Sequence, residues 1–167
     1  MIELIVVMAI FSLMAMLAVP RVANFIGNER KDSGLLSAYV TAASDDAFGH
    51  GRTVYLCISL NRPAVKKNPL MTDIATGTNS VSSFILEDMK LAPNQAAILK
   101  PRSFSSKFII QGVSINGSDP VTEGDVLVPF YCDGSSESYI IEILFAGKTI
   151  HLIKDRNSRN LRSGDEK

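Results

Sequence analysis

The stretch Ile2-Glu3-Leu4-Ile5-Val6-Val7-Met8-Ala9-Ile10-Phe11-Ser12-Leu13-Met14-Ala15-Met16-Leu17-Ala18-Val19-Pro20 decides how the rest of the chain is read. From Leu4 to Val19 every residue except Ser12 is apolar, and the next charge after Glu3 is Arg21. At 1.5 Å rise per residue this run makes roughly 25 Å of helix, the short end of what crosses a hydrocarbon core of about 30 Å. Three readings compete. A cleaved signal peptide opens with Lys or Arg and closes on small residues, whereas this segment opens Met-Ile-Glu, and Leu17-Ala18-Val19-Pro20 makes a poor cleavage site. A helix buried on all sides needs more surrounding protein than one small domain supplies. A membrane helix that continues past the bilayer fits best, since Val22, Phe25 and Ile26 keep helical spacing beyond Pro20. Glu3 near the end of such a helix either snorkels to the interface or has a functional partner.

The whole chain of 167 residues balances 17 Lys and Arg against 17 Asp and Glu, so any basic surface is local rather than a field of the entire protein. Two cysteines and two histidines are too few for the Cys/His clusters of structural zinc or iron–sulfur sites, and no metal or cofactor is expected. His50 falls in the helix stop Gly49-His50-Gly51 and His151 in an alternating strand. Neither stands beside a nucleophile motif or a phosphate-binding glycine loop, so no catalytic residue is assigned and the chain is not read as an enzyme.

Helical spacing resumes at Leu35 and Leu36 and continues through Tyr39, Val40, Ala43, Ala47 and Phe48. One long helix is therefore expected, weakened around Gly27 and Gly34. Its first part, residues 1–27, is the hydrophobic membrane span. The remainder, 28–49, is amphipathic and opens a head covering 28–167, β-rich over 53–153 and closed by a basic tail over 154–167. The strand candidates are 53–59, 107–115, 125–131, 138–145 and 148–153, with shorter ones at 84–87 and 96–99 and a loop over 60–80. Ala146-Gly147 suits a two-residue hairpin, and Pro129 assigns its strand to a sheet edge or bulge. The fold class is α+β: a long N-terminal helix packed on a mostly antiparallel sheet.

Met1 through Pro20 resembles the N-terminal segment of type IV pilins and of the pseudopilins of type II secretion. In that family a Gly-Phe-Thr-Leu-Ile-Glu-Leu motif opens the long helix, and a proline falls at this distance from the glutamate. Met1 stands where the family has leucine, and the Gly-Phe-Thr and basic leader are missing from the chain as written, which points to a start internal to a longer reading frame. With the leader restored, the resemblance implies processing by a prepilin peptidase and a single pass through the bacterial inner membrane, the head in the periplasm. Further along, Ala42-Ala43-Ser44-Asp45-Asp46-Ala47, Arg52-Thr53-Val54-Tyr55-Leu56-Cys57 and Phe130-Tyr131-Cys132-Asp133-Gly134 occur in the order found in the minor pseudopilin H and FimT-type minor pilins. Residues 60–105 match nothing in that pattern.

The resemblance implies a structural subunit of a pseudopilus or pilus, acting in filament initiation or at the tip. Its partners are other pilin-like subunits, met through the N-terminal helix. Glu3 would set assembly register by pairing with a neighbour's terminal amine, and Pro20 would mark the family's helix geometry. In the oxidising periplasm Cys57 and Cys132 are candidates for a disulfide, the alternative being two separate thiols with Cys57 an ordinary core residue. The run from Lys154 to Arg162 holds four basic residues against one acid, and Arg156, Arg159 and Arg162 are candidates for DNA contact. A DNA-binding minor pilin for natural transformation is thus the alternative to a purely structural subunit, and a singly anchored protein that never polymerises is the third.

Overall fold

A computed structural model describes residues 31–60, 78–87 and 90–164. The expected span over 1–27, with Glu3 and Pro20, lies outside the described residues, as does most of the 60–80 loop. The chain divides into two units, Met1–Gly34 and Leu35–Lys167. Among the described residues no helix is long and apolar enough to cross a membrane.

Within the described residues the helix α1 occupies 31–50. Leu36, Tyr39, Val40, Ala43 and Ala47 are buried at the three- and four-residue spacing of one helical face. Phe48 does not follow them and is 60% exposed. The helix stops at Gly51, whose φ of +60° carries the chain into the left-handed region. There the Gly51 N–H donates to the Phe48 carbonyl at 3.3 Å and the Arg52 N–H to the Ala47 carbonyl at 3.1 Å, a Schellman closure.

The strands that follow are β1 (Val54–Ser59), β2 (Ser80–Glu87), β3 (Lys90–Pro93), β4 (Arg102–Ser103), β5 (Phe108–Ile115), β6 (Asp125–Phe130), β7 (Tyr139–Phe145), β8 (Lys148–Lys154) and β9 (Arg162–Gly164). One sheet runs β3-β2-β1-β6, with β4 also on β2, and the other runs β5-β7-β8-β9; all pairings are antiparallel. Pro129 falls on an edge strand, β6, where the missing N–H interrupts no central ladder. Ala146 and Gly147 join β7 to β8 with φ of +50° and +82°, the two left-handed residues of a type I′ hairpin turn.

Strand alternation then builds one core from three layers. Val54, Leu56 and Ile58 of β1, Val81 and Ile85 of β2, and Val126 and Val128 of β6 face the buried stripe of α1. Ile110, Ile141, Ile143, Phe145 and Leu152 of the second sheet join the same cluster. The opposite face of the first sheet carries a smaller cluster of Cys57, Phe84 and Leu91, flanked by Tyr55 and Leu127. The pilin-like α+β arrangement is therefore present, with two antiparallel sheets where one was expected.

Two expectations are corrected. Residues 97–99 form a 3-10 turn, not a strand, because Leu99 is buried while Ala97 and Ile98 face solvent. The strands also run past residue 153 into the largely exposed stretch expected as a basic tail. Lys154 ends β8 inside the core, and Arg162–Gly164 pair with His151–Ile153 as β9.

Polar bonds fix how the helix sits on this core. The buried Tyr39 hydroxyl donates to the Leu99 carbonyl. Asp46 accepts from Asn94 Nδ2 at 2.8 Å and pairs with Arg52 at 3.1 Å, tying the last turns of α1 to the start of β1 and the end of β3. Tyr39→Phe keeps the packing but leaves the Leu99 carbonyl without its donor, so it should lower stability by about 1–2 kcal/mol, read as an earlier urea midpoint with unchanged slope.

Candidate interaction sites

The segment from β6 to β7 carries most of the polar chemistry of the head. Phe130-Tyr131-Cys132-Asp133-Gly134 turns back on itself, with the Gly134 N–H donating to the Tyr131 carbonyl at 2.9 Å and Gly134 at φ +81°. Ser44 of α1 donates to the Gly134 carbonyl at 2.8 Å. A Cβ at Gly134 would stand 3.7 Å from Phe48 Cβ, so the turn lies directly against the helix. Between them is an open groove of about 270 Å³, bordered by Asp45, Phe48, Asp133 and Arg159.

Glu137 organises the far side of this segment. Its carboxylate accepts from the Tyr131 hydroxyl at 2.7 Å and from Asn116 Nδ2 at 2.7 Å, and pairs with Arg156 at 3.4 Å. The Asn116, Tyr131 and Arg156 contacts hold it below its ordinary range, and Glu137 in turn raises the Tyr131 hydroxyl. Lys154 comes up beneath the same segment with no exposed surface. Its ammonium donates to Ser136 Oγ at 3.1 Å and to the Asp155 carbonyl at 3.2 Å, and stands 5.7 Å from the centroid of the Phe130 ring. Burial lowers its pKa, opposed by the neighbouring Asp155.

The residues singled out in the sequence are scattered by the fold. Cys57 is buried and Cys132 exposed, and no disulfide joins them. Cys57 lies opposite Leu127 in the middle of β6, whereas Cys132 stands beyond the end of that strand, in the turn that follows Phe130. Arg156 pairs with Glu137, and Arg162 pairs with Asp155 at 3.0 Å. Only Arg159 of the three borders the groove, and its backbone carbonyl accepts from Thr41 of α1. Two of the three arginines considered for DNA therefore have acidic partners within the head.

Among the described residues no group of three or more His, Cys, Asp or Glu side chains converges as a metal site. His50 is exposed and its Nδ1 lies 3.0 Å from Asp46 at the helix end. Sequence reading missed Lys154 and Glu137. The signal for Lys154 was present in the alternation of β8, where Leu152 and Lys154 share the inward face. Glu137 had no such signal, since its partners come from three separate loops.

A helix laid on two antiparallel sheets, with a hairpin and a Ser44-bound glycine turn closing the head, defines a pilin-like fold. Among solved structures it is similar to the minor pseudopilin EpsH from the Type 2 Secretion System of Vibrio cholerae, with 10% sequence identity, a TM-score of 0.54, and coverage of 85% of this chain and 97% of that one. No family model and no curated protein matches the sequence.

The buried polar groups lead to two expected outcomes. Lys154→Met keeps the volume and removes a buried charge that has no carboxylate partner, so its stability in urea should equal or exceed that of the native protein. Lys154→Ala should instead lose about 2–4 kcal/mol through the void it leaves. Glu137 titrates in the folded state below its ordinary 4.5, so its contribution is complete above that pH and is lost as pH falls through the lower folded value. The gap in urea midpoint between the native protein and Glu137→Gln should thus be widest at neutral pH and close in acid.

Proposed function

We propose that this chain is a minor pilin-like subunit, a minor pseudopilin or minor pilin, held in the bacterial inner membrane by residues 1–27 and carrying its head in the periplasm. The observation that carries the reading is the conjunction of two independent features in one chain. The head has the fold of a minor pseudopilin, and ahead of it stands an apolar run with a single acid at Glu3 and a proline at Pro20. Fold alone would leave the role open, and an apolar run alone would suit any anchored protein.

The apolar run serves two environments. In the membrane it is matched to lipid tails, and in a filament it packs against the same segment of neighbouring subunits without exposing new polar surface. Glu3 is the one group that distinguishes the two, since a carboxylate among apolar helices needs a cationic partner, and a neighbour's terminal amine supplies it. The subunit's partners are therefore other pilin-like chains, and its contribution is structural, in initiating the filament or forming its tip. A basic leader ahead of Met1 would make the chain a substrate of a prepilin peptidase.

Cross-linking in membranes containing the companion pilin-like subunits tests this. The native chain should form cross-linked pairs with them through the N-terminal segment. Glu3→Ala should remain in the membrane while those pairs fall at least about tenfold, as expected for losing a desolvated charge pair. Undiminished cross-linking of Glu3→Ala would remove the role given to Glu3, and a native chain that stays solitary in the membrane would remove assembly altogether.

A further inference from the structure

The end of the head at which Leu35 leads in carries four cations on neighbouring elements. Helix α1 runs from there toward Gly51, and β1 returns, so Ser59 at the end of β1 lies at the entering end. Register extends this across the sheet: Ser59 pairs with Ser80, and Ser80 with Ser103 of β4. The Tyr39 hydroxyl bond to Leu99 holds the 97–99 turn beside the helix only four residues beyond Leu35, about 6 Å of axial rise. Lys100 and Arg102 follow that turn, and Lys107 precedes β5. In the second sheet Phe108 pairs with Phe145 and Phe145 with Lys148, so Lys148 stands two strand spacings from the start of β5, about 10 Å.

Lys100, Arg102, Lys107 and Lys148 are all exposed, and none makes an ion pair with another described residue. No acidic residue occurs from Lys90 to Lys107. Of the described acids, Glu123 and Asp125 lie at the β6 edge, three strand spacings or about 14 Å from β4, where Asp125 accepts from Ser59 at 2.8 Å, and Asp32 precedes Leu35 in α1. In the middle of the basic stretch Ile98 projects with 57% exposure. Its neighbour Leu99 faces inward, so the turn cannot bury both.

We propose that this end of the head, with Ile98 at its tip and Lys100, Arg102, Lys107 and Lys148 around it, docks on a leaflet of anionic phospholipid. The proposal rests on the reading of residues 1–27 as a membrane anchor. An apolar side chain flanked by unpaired cations is the combination that a bilayer interface accepts, the chain entering the acyl boundary while the cations meet headgroup phosphates. In sequence only residues 28–34 separate the segment read as the anchor from Leu35, so the chain that enters this end of the head comes from the membrane on that reading. Docking would hold the head against the bilayer until assembly lifts it away.

The chain contains no tryptophan, so Ile98→Trp in the full chain is a single reporter. Ala97→Trp, on the same exposed turn, serves as a second should the first disturb folding. The protein is reconstituted into vesicles of phosphatidylcholine alone or mixed with phosphatidylglycerol, with brominated lipids as quenchers, and flotation reads the anchor separately. The introduced indole should be blue-shifted and quenched only in the anionic vesicles, and added salt should reverse the change. Lys100→Gln with Arg102→Gln, two solvent-exposed changes, should lower the docked-to-free ratio about twenty-five-fold at about fivefold per cation. Equal emission in both kinds of vesicle, with flotation intact, overturns the docking and leaves the anchor standing. Failure to float overturns both. A salt-dependent change of the indole emission with duplex DNA and none with anionic lipid would make the surface a nucleic-acid one and also overturn the proposal.

Discussion

The head depends on one apolar stripe of α1 being shared by two sheets. Leu36, Tyr39, Val40, Ala43 and Ala47 face a cluster to which both β-sheets contribute, so neither sheet has a complete core without the helix. Hydrophobic burial is strong but non-directional, and by itself it would let the helix slide or rotate over the sheets. Direction comes from polar contacts spaced along α1: Tyr39 with Leu99, Thr41 with Asn160, Ser44 with Gly134, and Asp46 with Asn94 and Arg52. Each reaches a different element, so a displacement of the helix breaks bonds to the 97–99 turn, the 130–135 turn and the β1 start together. Force applied to the helix is thereby distributed across the whole head.

Ala43 and Ala47 show why the small residues of the helix matter to the same end. Both belong to the buried cluster shared with the sheets, and their short side chains let α1 lie close to it. The interior is not wholly apolar. Ser83 Oγ and Tyr139 OH are buried with no hydrogen-bond partner among the described residues, and Lys154 is buried with neutral acceptors in place of a carboxylate. Burying a lysine in this way is costly relative to an apolar residue of the same length. What it provides is a joint: Lys154 meets Ser136 and the ring of Phe130 from below, so the segment joining the two sheets is held at its middle as well as at its ends.

Legibility followed periodicity. The five inward residues of α1, the strands β1 and β5 through β8, the Ala146-Gly147 hairpin and the edge position of Pro129 could all be read because each is a local pattern with one physical meaning. Phe48 broke the helical pattern because its position lies over the 130–135 turn and not over a sheet, a fact no spacing conveys. The short strands β3, β4 and β9 escaped because two to four residues cannot display alternation, and they exist only as additions to strands already in place. Counting charges also misled at the C-terminal side. Lys154 belonged to the alternation of β8 and not to the basic run that follows it, and Cys57 and Cys132, both on or beside paired strands, were separated by a register that only the pairing of β1 with β6 defines.

A net charge of zero excludes a long-range field, but local contact depends on how the charges are partitioned. At physiological ionic strength a charge is felt over about 8 Å, so cations and acids more than one or two strand spacings apart act nearly independently. In this head the partition is uneven. Arg52, Arg156 and Arg162, near the far end of α1 and along the second sheet, meet Asp46, Glu137 and Asp155. Lys100, Arg102, Lys107 and Lys148, at the end where the chain enters, have no such partners among the described residues. Among the described residues these four cations thus stand without acidic partners, on short turns between strands whose positions the sheets fix. The turns are therefore able to present cations to a planar anionic surface together, which a flexible basic tail of the same composition would do only by paying the entropy of ordering each residue.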